Sequence, residues 1–162
     1  MEKFQELRDI SNKKLWLADH ILTQTYPLLK DQRLLLNSLE TVFLAYANSI
    51  GSLLYYEKEF NRIPQFKDDF DSKLRALRDN CAKKYDIKQE DINIIKEVRD
   101  IVVQHKKSPV EFVREDRFII CSDDYNMKTI NVDKLKSMLN SAKVFIGKIN
   151  NITSKHESIF KR

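Results

Sequence analysis

The chain has 162 residues, 42% of them apolar and 33% charged, with two glycines, three prolines and two cysteines. That is enough apolar content to bury a core without a disulfide or metal staple, and too little glycine for a phosphate-cradling loop. Many helix formers and few turn residues point to an all-α protein, a single domain spanning 1–162. The net charge of +5 is carried by the end of the chain, where seven basic residues face two acidic ones from Val132 onward.

The N-terminal stretch MEKFQELRDISNKK is amphipathic and mixed in charge, unlike a signal peptide. The first helix is expected from Glu2 to Tyr26. Phe4, Leu7, Ile10, Leu17, Ile21 and Leu28 recur at helical spacing, and Pro27 ends or kinks it. Asp31 caps the second helix, which continues to about Arg62. Leu35, Leu39, Val42, Phe43, Tyr46, Ile50, Leu53 and Leu54 form a stripe, and Leu34, Leu36 and Ala47 make its first half apolar nearly all round, so it belongs in the middle of a bundle. Its small AYANSIGS centre lets neighbours come close and places Asn48 in the core.

Ile63-Pro64 is a break. A third helix follows with Phe66, Phe70, Leu74, Leu77, Cys81 and Tyr85 on one face. The fourth is expected to start at Asp86, boxed with Gln89, and to run to about Lys107. Ser108-Pro109-Val110-Glu111 has the residues of a helix start and predicts a short helical turn to about Arg114. The apolar period then changes to two. RFIICS and MKTIN around DDYN predict a β-hairpin over about 117–131. Asn131 caps a last helix with Leu135, Met138, Leu139, Ala142, Phe145, Ile146, Ile149 and Ile152 inward. The architecture expected is an antiparallel bundle of about five helices with a small hairpin before the last.

Cys81 and Cys121 have no partner spacing and read as reduced thiols of a cytoplasmic protein. No apolar run is long enough for a bilayer, so no membrane is expected. Three scattered histidines and no CxxC, HxH or HExxH call for no metal and no cofactor. The acidic groups DDFD (68–71) and SDD (122–124) lack calcium-loop spacing and read as a helix start and a turn. The basic last helix can meet phosphates, or can lay lysine stems along its own apolar stripe.

VRDIVVQH, residues 98–105, is what remains for chemistry. Cleaving RNA through its own 2′-hydroxyl needs a proton carrier near neutral pH and a fixed cation for the phosphate charge. Histidine and arginine suit those tasks. Arg99 and His105 point about 120° apart on an ideal helix. They converge only if the helix distorts or a second copy supplies the other half. The bland alternative is a pair of cations serving the helix dipole.

The run from Arg99 through Asp100 to His105 resembles the R-x(4–6)-H signature of the HEPN family, as does its place on the helix before the last in a bundle. That resemblance implies a homodimer with two facing motifs and metal-independent endoribonuclease activity leaving a cyclic phosphate. Arg99, Asp100 and His105 would be catalytic. Lys106, Lys107 and Arg114 would hold the RNA backbone, with help from the last helix. Lys107 stands where one toxin branch has a tyrosine, so no modifiable tyrosine follows the motif. The other reading is a catalytically silent HEPN-like module that binds RNA or a protein partner.

Overall fold

The computed structural model describes residues 1–107, 110–114, 117–121, 127–155 and 157. At Lys107, and at strand residues other than Ile119, Ile120, Ile130 and Asn131, it describes the backbone alone. It is a helical bundle with a small β-sheet before the last helix.

Helix α1 (Lys3–His20) opens with a capping box between Glu2 and Gln5. It does not stop at Tyr26. A π turn (Ile21–Thr25) and α2 (Tyr26–Leu29) carry the same rod on to Lys30, where φ turns positive at 55°. Pro27 has no N–H to give and its ring crowds the preceding turn. The widened π turn, with Tyr26 N–H bonded to Ile21 O, sits just ahead of it. Of the two outcomes expected at Pro27, an end or a kink, the helix does not end; it adjusts locally and continues.

Helix α3 (Arg33–Glu59) is the central rod, in contact with α1, α4, α5 and α6. The Asp31 carboxylate accepts from Arg33 N–H at 3.0 Å, as the cap reading expects. Small residues set the α1–α3 spacing. Ser38 Oγ donates to Ala18 O at 3.0 Å, and Ser11 Oγ to Ala45 O at 2.7 Å. A Cβ on Gly51 would lie 3.2 Å from Leu7 Cδ1. The order of these pairs makes the two helices antiparallel. Asn48 is not the core amide the sequence suggests. It is half-buried, and its Nδ2 donates to Leu44 O one turn back at 2.8 Å.

Helix α4 (Phe70–Asn80) is capped by Asp69, whose carboxylate accepts from Ser72 N–H at 2.9 Å. The predicted aromatic face extends beyond the helix. Phe66 lies before it against Tyr55, and Phe70 meets Phe43 with centroids 4.9 Å apart. Tyr85 lies after it, in the turn that follows Cys81. Asp86 has φ of 53°, a left-handed conformation unlike the extended one an N-cap needs. The reciprocal contact moves on two residues: Lys88 N–H donates to Asp91 Oδ2 at 3.1 Å, and α5 spans Gln89–Lys107. Glu57, in the last turn of α3, is the anchor here. It is sealed from water, accepts the Tyr85 hydroxyl and faces Lys84 Nζ at 3.2 Å.

The sheet corrects one expectation. Val110–Arg114 is a strand, β1, not a helical turn; Ser108 and Pro109 lie outside the described residues. It runs antiparallel to β2 (Arg117–Cys121), which pairs with β3 (Met127–Asn131), in the order β1-β2-β3. Val113 faces Phe118, and Ile119 faces Thr129. The cap signals act locally. VEFVR is rich in β-branched and aromatic residues, and a neighbouring strand in register satisfies its backbone, which outweighs them. The expected 117–131 hairpin is β2–β3, its turn outside the described residues. Asn131 Oδ1 then accepts from Lys134 N–H at 2.8 Å and starts α6 (Val132–Thr153), whose predicted stripe is buried throughout. Among the described residues, no helix is long and apolar enough to cross a membrane.

Candidate functional site

Helix α5 is fixed by its buried side. Ile92, Ile95, Val98, Ile101 and Val102 face the core. Everything else on the helix takes its direction from that stripe. Arg99, one residue after Val98, emerges on the flank beside α4. His105, two turns beyond Val98, stays close to the stripe and leans toward α3.

The partners agree with those directions. Arg99 Nη1 is ion-paired with Asp71 of α4, and its Nε donates to Asp100 Oδ1 at 2.7 Å. The guanidinium is 23% exposed, Asp71 63% and Asp100 51%. His105 Nε2 lies 3.4 Å from Glu40 Oε1 of α3, with the imidazole 26% exposed. The α-helix is continuous through both residues. One chain therefore holds Arg99 and His105 toward different neighbours. The geometry adds a carboxylate for each: Asp71 for the arginine and Glu40 for the histidine.

Of the cations placed near the motif, Lys106 is exposed on the last turn of α5. Lys107 ends the helix, and Arg114 ends β1 opposite Arg117; both side chains lie outside the described residues. The last helix contributes less free charge than its composition promises. Lys134 pairs with Glu97 at 3.0 Å and Lys143 with Asp19 at 3.0 Å. Lys148 Nζ donates to Asp86 O at 2.6 Å. These lysines tie α6 to the body of the bundle.

Sequence reasoning missed Glu40 and Asp71. Glu40 had a signal, since it is the one acid in the apolar run RLLLNSLETVFLAYA. Asp71 had none beyond its place in DDFD. Its meeting with Arg99 depends on how α4 and α5 lie side by side.

An arginine held by exposed carboxylates is still accessible to a phosphate. Pairs of this kind are worth about 0–1 kcal/mol in water, so a phosphate oxygen can replace Asp71 at little cost. The His105–Glu40 contact can hold the imidazole in one orientation and fix its tautomer. Set against known proteins, the chain matches no family model, no curated protein and no solved structure.

Proposed function

We propose that the chain acts on single-stranded RNA as a metal-independent endoribonuclease of HEPN type, working as a homodimer. The observation that supports this best is the His105–Glu40 contact near the end of α5, with Arg99 and Lys106 on the same helix. His105 takes the proton of a ribose 2′-hydroxyl. The freed oxygen attacks the adjacent phosphorus, the bond from phosphorus to the 5′-oxygen breaks, and the 5′-oxygen leaves with the proton that the His105 imidazole has taken up. The products are a 2′,3′-cyclic phosphate and a 5′-hydroxyl. Arg99, released from Asp71, balances the charge on the phosphate, and Asp100 orients it. A second copy across a two-fold axis supplies the arginine that one chain turns away from its own histidine.

The test is cleavage of an unstructured RNA in EDTA. Wild type is expected to give cyclic-phosphate ends. His105→Ala is expected to cut about 10²–10⁴-fold more slowly while keeping the wild-type melting curve. Intact RNA after long incubation with folded wild-type protein rules out the enzyme. The clamp of Asp71 and Asp100 on Arg99 favours a second reading, a catalytically silent HEPN-like module that binds RNA. It predicts salt-dependent retention of RNA with no new ends.

A further inference from the structure

We propose that the groove between α4 and α5 seats the sugar–phosphate backbone of the RNA strand, whether or not the strand is cut. The inference rests on the RNA reading above but not on catalysis. Two helix faces make the groove. Asp71, Arg75 and Arg78 follow one another at spacings of four and three on α4. Ile92, Lys96 and Arg99 do the same on α5, and Lys106 repeats the Arg99 position two turns later. The cavity between them is about 350 Å³, with Leu74 and Ile92 in its lining and Arg75, Arg78 and Lys96 around it.

The charge balance of this groove is one-sided. Asp71 is engaged with Arg99, and Arg78 Nε donates to Asp79 Oδ1 at 3.1 Å. Among the described residues, neither Arg75 nor Lys96 lies within ion-pair distance of a carboxylate; Arg75 reaches only Ser72 Oγ at 3.4 Å. Like charges gathered along one groove repel, so folding alone gains nothing from placing them together. A polyanion does. The row is also long. Ten residues of helix from Lys96 to Lys106 span about 15 Å, which suits a chain of phosphates better than a single anion. Arginine forks grip phosphate oxygens in pairs, and the apolar lining accepts ribose edges. The strand then passes Arg99 and reaches the end of α5 that carries His105.

The experiment is fluorescence anisotropy of a fluorescein-labelled oligouridylate with the full chain in EDTA, over a series of salt concentrations. Each phosphate-contacting cation that is neutralised lowers the slope of log K against log salt by about 0.7 for a single strand. Arg75→Gln, Arg78→Gln and Lys96→Gln together are therefore expected to reduce the slope by about 2. Lys13→Gln, an exposed position on α1, is expected to leave it unchanged. Arg75 and Arg78 are exposed, and Lys96 is half-buried with no carboxylate at ion-pair distance among the described residues, so the triple variant should melt close to wild type. If it does not fold, Arg75→Gln alone should lower the slope by about 0.7. A wild-type slope in the folded variant overturns the groove and leaves the RNA reading standing. Binding with the expected slope change but no cleavage supports the groove and removes the ribonuclease. Wild-type protein that retains no oligouridylate at low salt overturns both.

Discussion

Removing a single hydroxyl at Tyr85 tests what secures the bundle around Glu57, the most buried charge among the described residues. The Glu57 side chain is 1% exposed. Its Oε1 accepts the Tyr85 hydroxyl, Lys84 Nζ is 3.2 Å from Oε2, and Arg62 Nη1 is 3.8 Å from Oε1. These partners are unequal. A hydrogen bond to a charged group away from solvent is worth about 1.5–3 kcal/mol. Lys84 and Arg62 are 46% and 36% exposed, and pairs so open to water contribute about 0–1 kcal/mol. Tyr85→Phe is therefore expected to lower the unfolding free energy by about 2 kcal/mol. Lys84→Met is expected to cost less than about 1 kcal/mol. In a chain of this size the tyrosine variant should melt about 4–8 °C lower. Urea unfolding followed by far-ultraviolet circular dichroism reads both values, with m unchanged. The reasoning fails if Tyr85→Phe stays within about 0.5 kcal/mol of wild type, or if Lys84→Met costs more than Tyr85→Phe. Either result would show that solvated charge, not the hydroxyl, stabilises the carboxylate.

Gly147→Ala should stabilise the protein by about 0.5–1 kcal/mol, because a Cβ at this position in α6 meets nothing within 4 Å and alanine favours the helix; a lower melting temperature would contradict the open space. The Cys81 thiol is pushed up to about 12, first by burial and then by the charge of Glu57. It should resist thiol reagents in the native protein and react once urea unfolds it; fast native labelling at Cys81 itself, measured in a Cys121→Ser background, would refute its burial. The raised value also sets a sign. The folded state binds the thiol proton more tightly than the unfolded one, so this contribution is complete below about pH 9 and is lost as pH rises toward about 12. Cys81→Ala should flatten that alkaline loss relative to wild type in unfolding curves measured across the range.

Much of the fold can be read directly from the sequence. The central place of α3 follows from apolar residues on every side, since only a helix surrounded by others can bury them all. The caps at Asp31, Asp69 and Asn131 and the β2–β3 hairpin are equally local, each set by residues within a turn or a strand of one another. The misreadings are where a local signal met a stronger distant one. Ser108-Pro109-Val110-Glu111 has the letters of a helix start, but Val110–Arg114 finds a strand to pair with. Asp86 and Gln89 have the spacing of a capping box, but the turn pinned to Glu57 leaves Asp86 left-handed. Pro27 reads as ending or kinking its helix, and a π turn just ahead of it lets the chain continue.

The sequence by itself determined which residues of α3, α5 and α6 turn inward and that Arg99 and His105 leave α5 in different directions, because both follow from helical period; on the first helix the same reading fails, since Ile10, Leu17 and Leu28 of its expected stripe are exposed. Only the tertiary structure decided what each of them meets. Asp71 and Glu40 are distant along the chain, and nothing in the spacing of α5 specifies which helix lies on which flank. The groove of Arg75, Arg78 and Lys96 arises the same way. Each cation is an ordinary surface residue on its own helix, and they share one cavity because burying the apolar stripes of α4 and α5 sets those two faces side by side.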